Sequence, residues 1–145
     1  MNRRGFSLIE LVIAIVLVGL MASFFFPRIG QEIQKQNVRS ARAAMTTMMA
    51  RARASAIQRG LSVSLVHRSN RVFMLSTHPV TRAVDTISQQ NLYDSYGVTI
   101  TASPRDSVVF DSRGIGGQAS STYFYISKAG FADTIEVSSV GGIIR

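Results

Sequence analysis

The segment from Phe6 to Phe26, FSLIELVIAIVLVGLMASFFF, limits the architecture of this chain more than any other: 21 residues contain one ionisable group, Glu10. Wound as an α-helix, such a run spans roughly 30 Å, the thickness of the hydrocarbon core of a bilayer. It can cross a membrane, and the first third of the chain is too apolar to belong to a soluble core. A cleaved secretory signal would have a shorter apolar run followed by a small-x-small site. Here a polar helical pattern continues directly. Arg3 and Arg4 precede the run and Arg28 follows it, a weak charge asymmetry that favours a cytoplasmic N-terminus.

Glu10 lies five residues into the apolar run. A carboxylate costs about 2.5–3.5 kcal/mol at mid-membrane depth and less near the interface. Either Glu10 snorkels or protonates near the headgroups, or a partner charge offsets the cost. Gly19 and Pro27 weaken the helix at two points, one through backbone entropy, the other through a missing donor and a clash with the preceding turn. Whether Pro27 kinks the helix or marks its exit from the membrane, a bend is expected near Phe26.

From Ile29 to Ile57 the pattern becomes amphipathic. Val38, Ala41, Met45, Met48, Met49, Ala52 and Ala56 fall on one side of a helical wheel and are expected to pack on the rest of the protein. Arg28, Lys35, Arg39, Arg42 and Arg53 cluster on a neighbouring face as a basic stripe. That stripe fits a solvated surface, acidic protein neighbours, or the phosphates of lipid or DNA. Gly60, just past a cationic last turn, is a natural helix stop.

The net charge of +8 is unevenly placed. Residues 28–59 carry seven basic groups against Glu32 alone, whereas residues 61–145 carry seven basic and six acidic groups. A nearly neutral C-terminal region argues against nucleic-acid binding through bulk charge.

After Gly60 the periodicity turns to strands: LSVSLVH and RVFMLST as a hairpin around Arg68, Ser69 and Asn70, then VTITA, SVVF, TYFYIS and TIEVSSV. Residues 79–96 lack clear periodicity and read as a long connection, with one short strand near Val84 to Ser88. The resulting expectation is an α+β fold: a long N-terminal helix, transmembrane in its first half and amphipathic in its second, packed on a small antiparallel sheet or sandwich. Its segments are residues 6–27, 28–60 and 61–145.

Chemistry-bearing constellations are sparse. The chain has no cysteine, and His67 and His78 stand eleven residues apart with no carboxylate at ligand spacing, so neither a metal nor another cofactor is expected. The glycine-rich Arg113 to Gly117 lies between strand patterns and does not open a helix, so it reads as a turn, not a phosphate cradle. Asp111 with Ser112, and Asp133 with Glu136, lack a base at persuasive spacing. No catalytic residue is assigned, and the expectation is a non-enzymatic protein.

Two sets of residues carry a family resemblance. Gly5 to Glu10, GFSLIE, resembles the type III signal of type IV prepilins and type II secretion pseudoprepilins. ARASAIQRGLSVSLV, FDSRG at Phe110 to Gly114, and the closing IEVSSVGGIIR resemble the GspH/FimT family of minor pseudopilins and pilins. The resemblance implies removal of residues 1–5 after Gly5 by a prepilin peptidase, N-methylation of Phe6, and pairing of Glu10 with the terminal amine of a neighbouring subunit. It implies a pilin-like fold whose helix is interrupted near Gly19 and Pro27. It also implies a single-pass inner-membrane protein with a periplasmic head, in contact with membrane lipid, other pilin or pseudopilin subunits and a secretion or pilus assembly platform.

Within the family the first expectation is a minor pseudopilin of a type II secretion system, acting in filament initiation or at the tip. The alternative is a FimT-like type IV minor pilin that takes up DNA, using the basic stripe with Arg113, Lys128 and Arg145. Some FimT-like members carry a basic glycine–arginine motif at the C-terminus. This chain ends Gly141, Gly142, Ile143, Ile144, Arg145, with one arginine, so that motif is incomplete.

Overall fold

The computed structural model describes residues 7–144, apart from the side chains of residues 24–27. It divides into two compact units, Met1–Gln34 and Lys35–Arg145. The first helix, α1, is a single element from Leu8 to Arg59 and contributes to both.

In the first unit α1 carries the apolar run. None of its described residues from 7 to 23 is buried; Leu8 is 82% and Met21 65% exposed. Aliphatic side chains left this bare in water are unfavourable, so this stretch requires an apolar solvent. Gly19 and Pro27 lie within α1 and do not end it. The bend expected near Phe26 falls outside the described side chains.

In the second unit all seven residues of the expected apolar stripe are buried, from Val38 to Ala56. Alanines at positions 41, 52 and 56 let the backbone approach closely, while Met45, Met48 and Met49 fill the space between. They share one core with Val63, Leu65, Phe110, Phe124, Ile126 and Ile135. Each large side chain buried there contributes about 1.5–3 kcal/mol. The helix stops where the sequence places its stop: Gly60 adopts φ 63°, the left-handed conformation that costs glycine least.

Among the described residues seven strands follow: β1 Ser62–Arg68, β2 Arg71–Thr77, β3 Val84–Asn91, β4 Thr99–Ser103, β5 Ser107–Phe110, β6 Thr122–Lys128 and β7 Phe131–Val137. They form two antiparallel sheets, ordered β3-β2-β1-β5 and β4-β6-β7. The β1–β2 hairpin turns through Ser69 and Asn70, both at positive φ (48° and 63°), the twist that a two-residue hairpin favours. The Asn70 side chain then joins the two sheets, its Oδ1 accepting from Ile100 N at 2.9 Å. Alternate residues of β1 and β2 (Val63, Leu65, Val72, Met74, Ser76) are buried, and the intervening ones line the opposite face.

The connection expected over residues 79–96 is more ordered than its sequence implies. The short strand expected near Val84 to Ser88 is there and runs on to Asn91 as β3, and a one-turn helix, α2, follows at Leu92–Tyr96. Asn91 Oδ1 caps α2, accepting from Tyr93 N and Asp94 N, and Gly97 (φ 64°) ends it. β3, VDTISQQN, is a sheet edge with no buried residue, so it lacks the alternation by which strands are read. Its ladder to β2, offset by a bulge at Met74/Leu75, holds it instead. The strand expected as TIEVSSV begins earlier, at Phe131, and ends at Val137; Ser138 to Val140 belong to the next turn.

Candidate functional site

Gly5 and Phe6, the expected cleavage and methylation positions, lie outside the described residues. Immediately after them, Ser7 starts α1. Its Oγ accepts from Glu10 N at 3.2 Å, and its carbonyl accepts from Leu11 N at 3.2 Å. Ser-Leu-Ile-Glu is thus an S-x-x-E capping pattern, a helix-start signal that the sequence carries inside the processing motif. The cap fixes the first turn and places Glu10 at the positive end of the helix dipole. Glu10 is exposed among aliphatic neighbours and forms no ion pair among the described residues.

The basic stripe separates into residues with different roles. Arg42 is held inside the second unit, with Nη1 donating to Asp133 Oδ2 at 3.3 Å on β7 and both side chains about one-third exposed. Lys35 also has an interaction partner. Arg39 and Arg53 are exposed, and the Arg53 stem packs over Gly114. Arg28 belongs to the first unit. A shared helical face therefore does not make these five residues one binding surface. The head cations considered for DNA have internal contacts as well. Arg113 pairs with Asp111 at 3.1 Å, and Lys128 Nζ donates to Tyr96 O at 2.6 Å. Arg145 lies outside the described residues.

The FDSRG string and the C-terminal string form one substructure. Asp111 Oδ1 accepts from Arg113 N (2.9 Å) and Ile115 N (2.8 Å), fastening the turn. The hydrogen bond from Ile115 is the main reason its carboxyl is held below the ordinary carboxylate value. Gly116 N then donates to Val140 O at 2.8 Å. A Cβ on Gly116 would lie 2.6 Å from Val140 C and press on the Gly141 backbone, so glycine is required by close approach of two chains. The glycine-rich loop is a packing device between β5 and the C-terminal turn. In β1, the partly buried His67 has its pKa lowered mainly by desolvation, against the opposing charge of Asp106. Among the described residues no group of three or more His, Cys, Asp or Glu is placed to hold a metal.

Comparison with known families matches residues 1–26 to the prokaryotic N-terminal methylation motif and residues 41–141 to the type II transport protein GspH. The chain belongs to the GspH family. The GspH match covers α1 from Ala41 onward and the strand region as far as Gly141, and the methylation motif covers the whole apolar run with the five residues before it. A search of curated proteins finds no match. Among solved structures, the type IV minor pilin FimU of Pseudomonas aeruginosa is similar in two crystal forms. One has a TM-score of 0.63 at 13% identity, covering 76% of this chain and 88% of that one. The other has a TM-score of 0.57 at 14% identity, covering 73% and 90%. At this identity the likeness establishes a shared pilin fold: a long N-terminal helix with antiparallel sheets packed on its second half. This GspH-family chain is therefore a minor pilin-type or pseudopilin-type subunit with an apolar helix suited to membrane anchoring, and its family implies processing by a prepilin peptidase and contact with other pilin subunits.

Proposed function

We propose that this protein is a minor pseudopilin of a type II secretion system, assembling through its N-terminal helix and serving in initiation or at the tip of a periplasmic pseudopilus. The observation that carries this reading is the GspH match over residues 41–141, joined to a methylation motif over residues 1–26. In this reading the protein is not an enzyme; it is a substrate of the peptidase and methylating activity that mature its N-terminus. Once Phe6 carries the free amine, Glu10 supplies a carboxylate four residues further on. In low dielectric an amine from one subunit and a carboxylate from the next stabilise each other's charged forms, and any other helix register leaves a charge unpaired. Glu10 thereby selects one packing register.

The likeness to a type IV minor pilin favours a second reading, a pilus subunit, with DNA uptake as one variant. The internal contacts of Arg113 and Lys128 weigh against the DNA variant. Deleting the gene and assaying secreted enzymes alongside surface piliation and transformation separates these readings. Loss of secretion with intact pili and transformation supports the pseudopilin. Loss of pili or of transformation with normal secretion overturns it.

A further inference from the structure

The β1–β2 hairpin carries a feature that subunit assembly does not explain. Arg68 and Arg71 are direct cross-strand partners at its end. Flanking a two-residue turn, such a pair has Cα atoms roughly 5.5 Å apart and side chains on the same face. Like charges placed directly opposite each other in a sheet are destabilising. Among the described residues neither guanidinium forms an ion pair or a side-chain hydrogen bond that would offset this. Both are exposed, and both line a hollow of about 410 Å³ with Ser69, Asn70, Phe73 and Tyr93.

Strand parity places this hollow on the face of the sheet opposite the buried residues. Phe73, two residues after Arg71, pairs with Val66, two residues before Arg68, and all four alternate with buried Leu65, Val72 and Met74. The hollow therefore has an aromatic floor and two cations at one end. Tyr93 stands 55% exposed at its rim. Two carboxylates lie nearby. Asp94 borders an adjoining hollow beside Arg71 and is engaged by Asn91 Nδ2 at 2.6 Å. Asp106 is placed beside β1 by the hydrogen bond from His67 N to its carbonyl, at 2.7 Å. Neither lines the hollow itself.

We propose that Arg68 and Arg71 form a binding site for a phosphate group. A carboxylate has two oxygens and is satisfied by one guanidinium fork, whereas a tetrahedral phosphate has oxygens enough for two forks arriving from different sides. A phosphate monoester also carries close to two negative charges near neutral pH, matching the pair. Ser69 and Tyr93, which line the same hollow, each carry a hydroxyl able to donate. The site is open, so it admits either free phosphate or a phosphate borne on a lipid headgroup.

The test uses the full chain, isotope-labelled, in neutral detergent micelles, titrated with inorganic phosphate at constant ionic strength and followed by NMR. The expected result is saturable shifts confined to residues 68–73 and 91–93, with half-saturation raised about tenfold or more in R68A/R71A. The same variant should retain its cooperative thermal unfolding, because both side chains are exposed and their mutual repulsion is removed. R68K/R71K keeps the charge but loses the forks, so it should bind more weakly than the native chain. Moving the protein into phosphatidylcholine discs with and without phosphatidic acid identifies the source. Shifts of the same residues on adding phosphatidic acid point to a headgroup, and shifts with free phosphate only point to a soluble ligand. Absence of saturation, an unchanged response in R68A/R71A, or an equal response to acetate overturns the proposal.

Discussion

The two halves of α1 obey different rules within one helix. Between residues 7 and 23 no side chain is buried and nearly all are aliphatic; between residues 38 and 56 seven small or flexible apolar side chains are buried and the remaining faces are polar. The first half is apolar on every side apart from Glu10, the pattern of a helix suited to a bilayer. The second half is apolar on one side because its solvent is water on one side and a β-sheet core on the other. One consequence is that the two halves should fail independently.

Glu10→Ala has the largest expected effect and acts on the first half alone. Assembly into filaments should be lost, measured by crosslinking between subunits in cells, while the thermal unfolding of the head is unchanged. Loss of head stability in that variant would break the division. Met49→Ala acts on the other half. It should cost about 2–5 kcal/mol of head stability in denaturant melts of the detergent-solubilised chain, with membrane insertion retained. Gly116→Ala should cost about 1–3 kcal/mol in the same melts, because the added Cβ forces the turn after β5 away from the Val140–Gly141 backbone.

Smaller effects separate a structural stripe from a binding stripe. The Arg42–Asp133 pair is about one-third exposed, so a double-mutant cycle should give a coupling below about 1 kcal/mol, whereas Arg39→Ala should leave stability unchanged. Asp111 gives the smallest effect, as a pH dependence. Its folded pKa lies below the ordinary 3.8, so its contribution is present above that value and is lost as pH falls through the lowered one. Acid melts should show the turn at residues 111–115 loosening below about pH 3.8, and Asp111→Asn should remove that component.

Legibility followed the strength of the local signal. The apolar run, the buried methionine stripe, the stop at Gly60 and the Ser69–Asn70 hairpin are stated by periodicity and turn chemistry, and each occurs in the structure. β3 is legible only in part: a short strand is expected near Val84 to Ser88, but its run to Asn91 rests on hydrogen bonds to β2, since an exposed edge strand shows no alternation. A helical wheel groups Arg42 with its neighbours because it shows which residues share a face but not that Asp133, ninety-one residues away, reaches one of them. The role of Gly116 was equally invisible, since the chain that crowds it arrives only after the fold is made. Non-local contacts decided each case that local pattern left open.

Whether this GspH-family chain is matured at its N-terminus into a pilin-type subunit is decided by mass spectrometry of the membrane-extracted protein from peptidase-positive cells. The expected species lacks residues 1–5 and begins at N-methylated Phe6; an intact chain still beginning at Met1 would rule out this maturation.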